Sequence, residues 1–185
     1  MQSKLSSRLL LAVILLASGT GLAQAQSVYL GINAGISNWN VDWIGFSSSD
    51  KSDSGSRFYV GYNFTDEWGA ELYYINLGKT TATPAAEVKG AGFGLAGVYN
   101  LRFGSDKEWD MIARIGLASM KAEGKGPCTC AGDKTSAQAL VGIGIGYEVT
   151  KNIMLRADLD ITAVKTADDQ NSGVSLLSGG ITFKF

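Results

Sequence analysis

With 185 residues, 16 of them basic and 17 acidic, the chain has a formal net charge of −1 and lacks the basic excess that nucleic-acid binding requires. It contains no histidine, which excludes a Ser-His or Asp-His catalytic dyad. Its 2 prolines, Pro84 and Pro127, fall in stretches read as loops, so neither interrupts a strand pattern.

At the N-terminus, Lys4 and Arg8 precede the apolar run from Leu9 to Ala17, and Ala23-Gln24-Ala25 follows it. A charged region, a short apolar core and an A-x-A site predict a secretory signal peptide over residues 1–25. The run is too short for the roughly 20 apolar residues of a spanning helix. Residues 26–185 are then expected to form one domain.

From residue 26 onward the pattern has period two, as in strands. Val28, Leu30, Ile32, Ala34 and Ile36 share the first apolar face, and Phe58, Val60, Tyr62 and Phe64 the second. Ala70, Leu72 and Tyr74 follow Trp68 on the third, and the fourth runs from Ala91 through Phe93, Leu95, Gly97 and Tyr99 to Leu101. The fifth holds Trp109, Met111, Ala113, Ile115 and Leu117, and the sixth Ala139, Val141, Ile143, Ile145 and Tyr147. Ile153, Leu155, Ala157, Leu159 and Ile161 make the seventh, and Leu177, Gly179, Ile181, Phe183 and Phe185 the eighth. No charged residue stands on any of these faces.

Long polar gaps near 39–56, 78–89, 122–135 and 163–173 alternate with short ones at 65–67, 102–108 and 150–152. Long loops at one end and tight turns at the other describe an all-β, eight-stranded antiparallel up-and-down barrel with its short turns in the periplasm. A soluble barrel would need a polar exterior. Here the other faces offer Gly92, Gly94, Ala96 and Val98, or Gly142, Gly144 and Gly146, which suit the inside of a barrel too narrow for large side chains. Uncharged apolar faces suit lipid, where a midplane Lys or Arg costs roughly 2–4 kcal/mol. Aromatics from Tyr62 to Phe185 gather at the periplasmic strand ends, as an interfacial girdle would.

The run from Tyr59 to Tyr74 (YVGYNFTDEWGAELYY) resembles the second hairpin of the OmpA-like outer-membrane barrel family. Ala113-Arg114-Ile115-Gly116 and Leu155-Arg156-Ala157-Asp158 resemble that family's fifth and seventh strands. The ending Ile181-Thr182-Phe183-Lys184-Phe185 is similar to the C-terminal signal read by barrel-assembly machinery, with Ile181, Phe183 and Phe185 carrying it. The resemblance covers residues 26–185 without the peptidoglycan-binding domain of longer members. It implies the bacterial outer membrane, with lipid, lipopolysaccharide, assembly machinery and periplasmic chaperones as partners of a monomer.

Eight charges fall on the inward parity: Glu71, Asp110, Arg114, Glu148, Arg156, Asp158, Asp160 and Lys184. Glu71, Arg114, Arg156 and Asp158 stand at similar heights, and an unpaired buried charge is expensive, so an ion-pair network is expected in the periplasmic half. The family resemblance implies a Glu–Arg pair at Glu71 and Arg156. Such a network serves either as a structural plug or as the gate of a narrow, low-conductance ion pathway. Asp158 and Asp160 beside Arg156 read as ion-paired rather than catalytic.

Cys128-Thr129-Cys130 lies in the third long gap, where an oxidising compartment favours a disulfide. A strained local bridge, an intermolecular link or thiols open to metal are the alternatives, the local bridge being the expectation. The tracts 47–54 and 167–171 read as solvated loop tips. The expected function is that of a surface barrel that displays four extracellular loops, open to host or neighbouring-cell ligands, without cofactor, metal or catalytic site.

Overall fold

The computed structural model describes residues 27–40, 49–82, 86–126, 131–167 and 171–185. The expected signal peptide and the Cys128/Cys130 pair lie outside the described residues. Eight long strands account for nearly everything else: β1 (Ser27–Asn40), β2 (Ser52–Asn63), β3 (Trp68–Ala82), β4 (Ala86–Phe103), β5 (Trp109–Lys125), β6 (Gly132–Thr150), β7 (Ile153–Lys165) and β8 (Asn171–Lys184). A two-residue strand, Ser49–Asp50, adds to β3 opposite Thr81 and Ala82.

Each strand pairs antiparallel with its chain neighbours, and β1 also pairs with β8, from Tyr29↔Lys184 to Asn40↔Gly173. That last ladder closes the sheet, so none of the eight long strands is left as an edge to recruit another chain. The period-two alternation is kept throughout. Tyr29, Asn33, Ser37 and Trp39 of β1 point inward, while Leu30, Ile32 and Ile36 face outward.

The outer wall is an uninterrupted apolar belt. Ile115 is 71% exposed, Leu117 66% and Phe93 65%, values that no water-facing surface of such extent would sustain. Aromatic rings mass at the short-turn end, where Trp68 and Tyr99 lie with centroids 4.9 Å apart and Trp109 and Tyr147 4.8 Å apart. These rings form the interfacial girdle of a barrel that crosses lipid with strands. Among the described residues no helix is long and apolar enough to cross a membrane. Placing a charge on this belt should be costly: Ile115→Arg is expected to destabilise the barrel by roughly 2–4 kcal/mol in lipid vesicles. Urea unfolding monitored by tryptophan fluorescence measures it, and an unchanged midpoint would argue against lipid contact at this position.

The structure corrects the sequence reading in two respects. First, the strands run well into the stretches expected to be long loops: Ser52, Asp53 and Ser54 belong to β2, and β3 and β4 continue to Ala82 and from Ala86. The extensions persist because every second residue, such as Leu77, Val88, Val164 and Val174, still finds an interior to fill. Second, the lumen does accept large side chains, among them Trp39, Tyr59, Tyr73 and Met120. The inward glycines are seats for them. A Cβ at Gly31 would collide with the ring of Tyr59, at Gly61 with Tyr29, and at Gly94 with Tyr73, each directly across a strand pair.

The charged lumen as candidate functional site

Gly142 and Gly144 of β6 lie opposite Asp160 and Asp158 of β7, and a Cβ at either would strike the carboxylate facing it. The bare backbone of β6 thus lets both aspartates lie flat along the wall and turn toward Arg114 on β5. Arg114 donates from Nη1 to Asp158 Oδ1 at 2.9 Å and from Nη2 to Asp160 Oδ1 at 2.9 Å. From β7 itself, Arg156 donates Nη2 to Asp158 Oδ1 at 3.3 Å and Nη1 to Glu71 Oε1 at 3.2 Å. Asn33 Nδ2 donates to Asp158 Oδ2, and Tyr29 Oη donates to Glu71 Oε1 at 3.1 Å.

The central cluster also contains Arg57 of β2, which the sequence reading missed. Its Nη2 donates to Glu71 Oε2, and its Nε lies 4.0 Å from Asp160 Oδ2. The guanidinium packs over the rings of Tyr59 and Tyr73, 4.9 and 5.0 Å from their centroids, while Arg156 sits 4.7 Å from the Tyr59 ring. Aromatic faces supply attraction to a cation where water is excluded. Three arginines and three carboxylates, all buried, therefore balance in charge across the middle of the barrel. The parity of Arg57 with Tyr59 and Gly61 was the available signal, and Asp160 joins the cluster by the same rule.

Asp110, Glu148 and Lys184 belong elsewhere. They form a second tier at the periplasmic mouth, completed by Arg102 from the end of β4. Arg102 lies 3.5 Å from Asp110 and 3.4 Å from Glu148, and Lys184 pairs with Glu148 and with Asp110 at 3.6 Å. Val98, Ile112 and Met154 separate the two tiers.

Above the central tier the lumen turns apolar. Ile75, Leu77, Val88, Met120, Leu140, Val164, Val174 and Leu176 are buried there, capped by Trp39. Trp39 Nε1 and Ser37 Oγ both donate to the carbonyl of Leu77, at 3.1 and 2.6 Å. That carbonyl is exposed to the lumen at a β-bulge, between the pairs Asn76↔Ala91 and Lys79↔Lys89, where Gly78 takes φ of +65°. From periplasm to cell surface the interior thus reads ionic, apolar, ionic, apolar. Among the described residues no cluster of His, Cys, Asp and Glu is arranged to hold a metal ion.

At the wall's lower rim, Ile181, Phe183 and Phe185 face outward, and the N–H of Phe185 donates to the carbonyl of Val28 at 2.9 Å.

A closed strand barrel, lipid-facing outside and packed with charge pairs inside, defines a small transmembrane β-barrel. The chain belongs to the outer membrane protein beta-barrel domain family, whose model matches residues 9–185, and its place is the bacterial outer membrane. Solved structures share the fold. Neisserial surface protein A is 20% identical with a TM-score of 0.64, covering 85% of this chain and 97% of that one. The N-terminal barrel domain of Pseudomonas aeruginosa OprF is 19% identical at 0.56, covering 88% and 100%. Ail, the attachment invasion locus protein of Yersinia pestis, is 16% identical at 0.53, covering 86% and 100%. A search of curated proteins finds no significant match.

Proposed function

We propose that this barrel is a sealed surface scaffold: it anchors in the outer membrane as a monomer and presents its extracellular strand extensions and loops to molecules outside the cell. The observation that carries this reading is the filled lumen, blocked by two ionic tiers and by the apolar layer under Trp39. A molecule with no open interior acts through its surfaces. Ail, of the same fold, is named for attachment and has been crystallised with the heparin analogue sucrose octasulfate, which supports a contact role for the extracellular end. Lipid and lipopolysaccharide are the partners of the belt, and the outward Ile181, Phe183 and Phe185 those of assembly machinery and chaperones. No catalytic role is assigned, because the lumenal carboxylates are held in ion pairs and the chain has no histidine.

The second reading, a narrow ion pathway gated by the central cluster, draws on buried polar atoms without a hydrogen-bond partner: Arg57 Nη1, Tyr73 Oη, Asp160 Oδ2 and Ser178 Oγ. These mark places where water would be held. Ions would still have to pass the apolar layer, so the sealed scaffold is the preferred function. Planar-bilayer recording separates the two. Wild-type protein is expected to insert without discrete conductance, and steps altered by Glu71→Ala or Arg156→Ala would establish the pathway instead.

A further inference from the structure

Val98, Ile112 and Met154 separate the two ionic tiers without filling the space between them. A cavity of about 20 Å³ remains there, bounded by Ile112 and Met154 themselves, by Tyr29 and Arg156 of the central tier, and by Asp110 and Lys184 of the mouth. A water molecule needs about 10–15 Å³. The cavity adjoins a wider one of about 310 Å³ at the periplasmic mouth, with which it shares Asn63, Asp66, Arg102 and Lys184. Residual exposure follows the same boundary. Arg156 and Tyr29 each keep 5% of their surface accessible, whereas Arg57 and Glu71 in the same tier, and Leu77, Met120, Leu140 and Leu176 above it, are at 0%.

Two residues of this cavity carry a buried polar atom that has no hydrogen-bond partner among the described residues, Arg156 at Nε and Asp110 at Oδ1. Each atom is held by charge alone. Arg156 Nε lies 3.2 Å from Asp158 Oδ2, and Asp110 Oδ1 3.5 Å from Arg102 Nε, both out of hydrogen-bond alignment. One is a donor and the other an acceptor, and the wall adds the hydroxyl of Thr182 and the amides of Asn63 and Asn100. The charges around the cavity cancel. Arg102 and Lys184 offset Asp110 and Glu148 at the mouth, as three arginines offset three carboxylates in the central tier. Asp66 and Lys151, at the rim, are exposed and of opposite sign. An added ion would upset this balance, whereas a small neutral molecule that both donates and accepts would complete the hydrogen bonding.

We propose that a water-sized neutral ligand, water itself in the native membrane, binds between the tiers and serves Asp110 and Arg156, making the lower lumen a half-channel that opens from the periplasm and ends at Arg156. Buried waters typically make about three hydrogen bonds to polar groups that would otherwise go unpaired. The inference rests on the sealed-scaffold reading and places the seal at the central tier and the apolar layer above it. The Glu71–Arg156 pair then meets water from the periplasmic side alone.

Hydrogen peroxide is the probe, being neutral, little larger than water, and both donor and acceptor. It oxidises a methionine thioether to the sulfoxide and is itself reduced to water. Two native methionines report on the two halves of the lumen: Met154 lines the cavity, and Met120 lies in the apolar layer. In the folded barrel in lipid vesicles, peptide mass analysis is expected to show Met154 oxidised about tenfold or more faster than Met120, which reacts only when its packed layer opens. In urea the two should react alike, and unboiled gel mobility verifies that the barrel stays folded during exposure. Protection of both methionines overturns the half-channel and leaves the sealed scaffold standing. Equal oxidation of both in a folded barrel overturns the half-channel and the seal together. Faster oxidation of Met120 also overturns the proposal, because water would then enter from the cell surface.

Discussion

Glu71→Ala is expected to destabilise the folded barrel by about 3–5 kcal/mol, the cost of breaking a buried pair from one side. Glu71 receives Arg57, Arg156 and Tyr29, so its loss leaves three arginines facing two carboxylates in a lumen without bulk water. Arg57 is the most affected, since its Nε and Nη1 already lack hydrogen-bond partners. Equilibrium urea unfolding in lipid vesicles measures the loss. Glu71→Gln separates charge from shape, because the amide retains an acceptor for Tyr29 but not the negative charge. The double variant R57M/E71Q should be milder than the sum of its single changes by about 1–3 kcal/mol, as expected for residues in one network. Strict additivity would mean that Arg57 and Glu71 do not act on each other, contrary to the geometry.

Trp39→Ala is expected to cost about 3–5 kcal/mol, through lost transfer energy and the cavity left behind. Trp39 is buried at the top of the apolar layer, and the absent side chain at Gly90 makes room for its ring: a Cβ there would lie 2.7 Å from the indole. The substitution also removes one of the two donors to the Leu77 carbonyl, leaving Ser37 to hold the bulge. The same urea titration reads the effect, and a loss below about 1 kcal/mol would show that the upper lumen is not a packed core. In planar bilayers W39A alone should stay silent, because the apolar layer beneath Trp39 and both ionic tiers remain.

Much of the wall is legible in the amino-acid pattern alone. The outward faces from Leu30 to Phe185, and the inward parity of Glu71, Arg114, Arg156 and Asp158, follow from counting by twos. Arg57 escapes that count because it begins a strand at the edge of a serine-rich tract that reads as loop, even though it shares parity with Tyr59. The apolar layer escapes for the same reason. Trp39, Leu77, Val88 and Val164 are single apolar residues among Ser, Thr, Gly and Lys, a composition indistinguishable from a solvated loop until the ladder is seen to continue. The bulge at Gly78 has no local signature strong enough to show that Lys79 changes face.

By itself the sequence determined the strand number, the alternation, and the sidedness of lipid and lumen, because the two-residue period of a strand is a local property that needs no partner. Only the tertiary structure decided which charges meet. Arg156 reaches Glu71 across 85 positions and Asn33 reaches Asp158 across 125, contacts set by closure of the barrel and the stagger of its strands rather than by any local pattern. It also decided that the lower lumen is ionic and the upper lumen mostly apolar. Parity fixes the side of the wall that a residue faces, while its height and its opposite number depend on how all eight strands are registered at once.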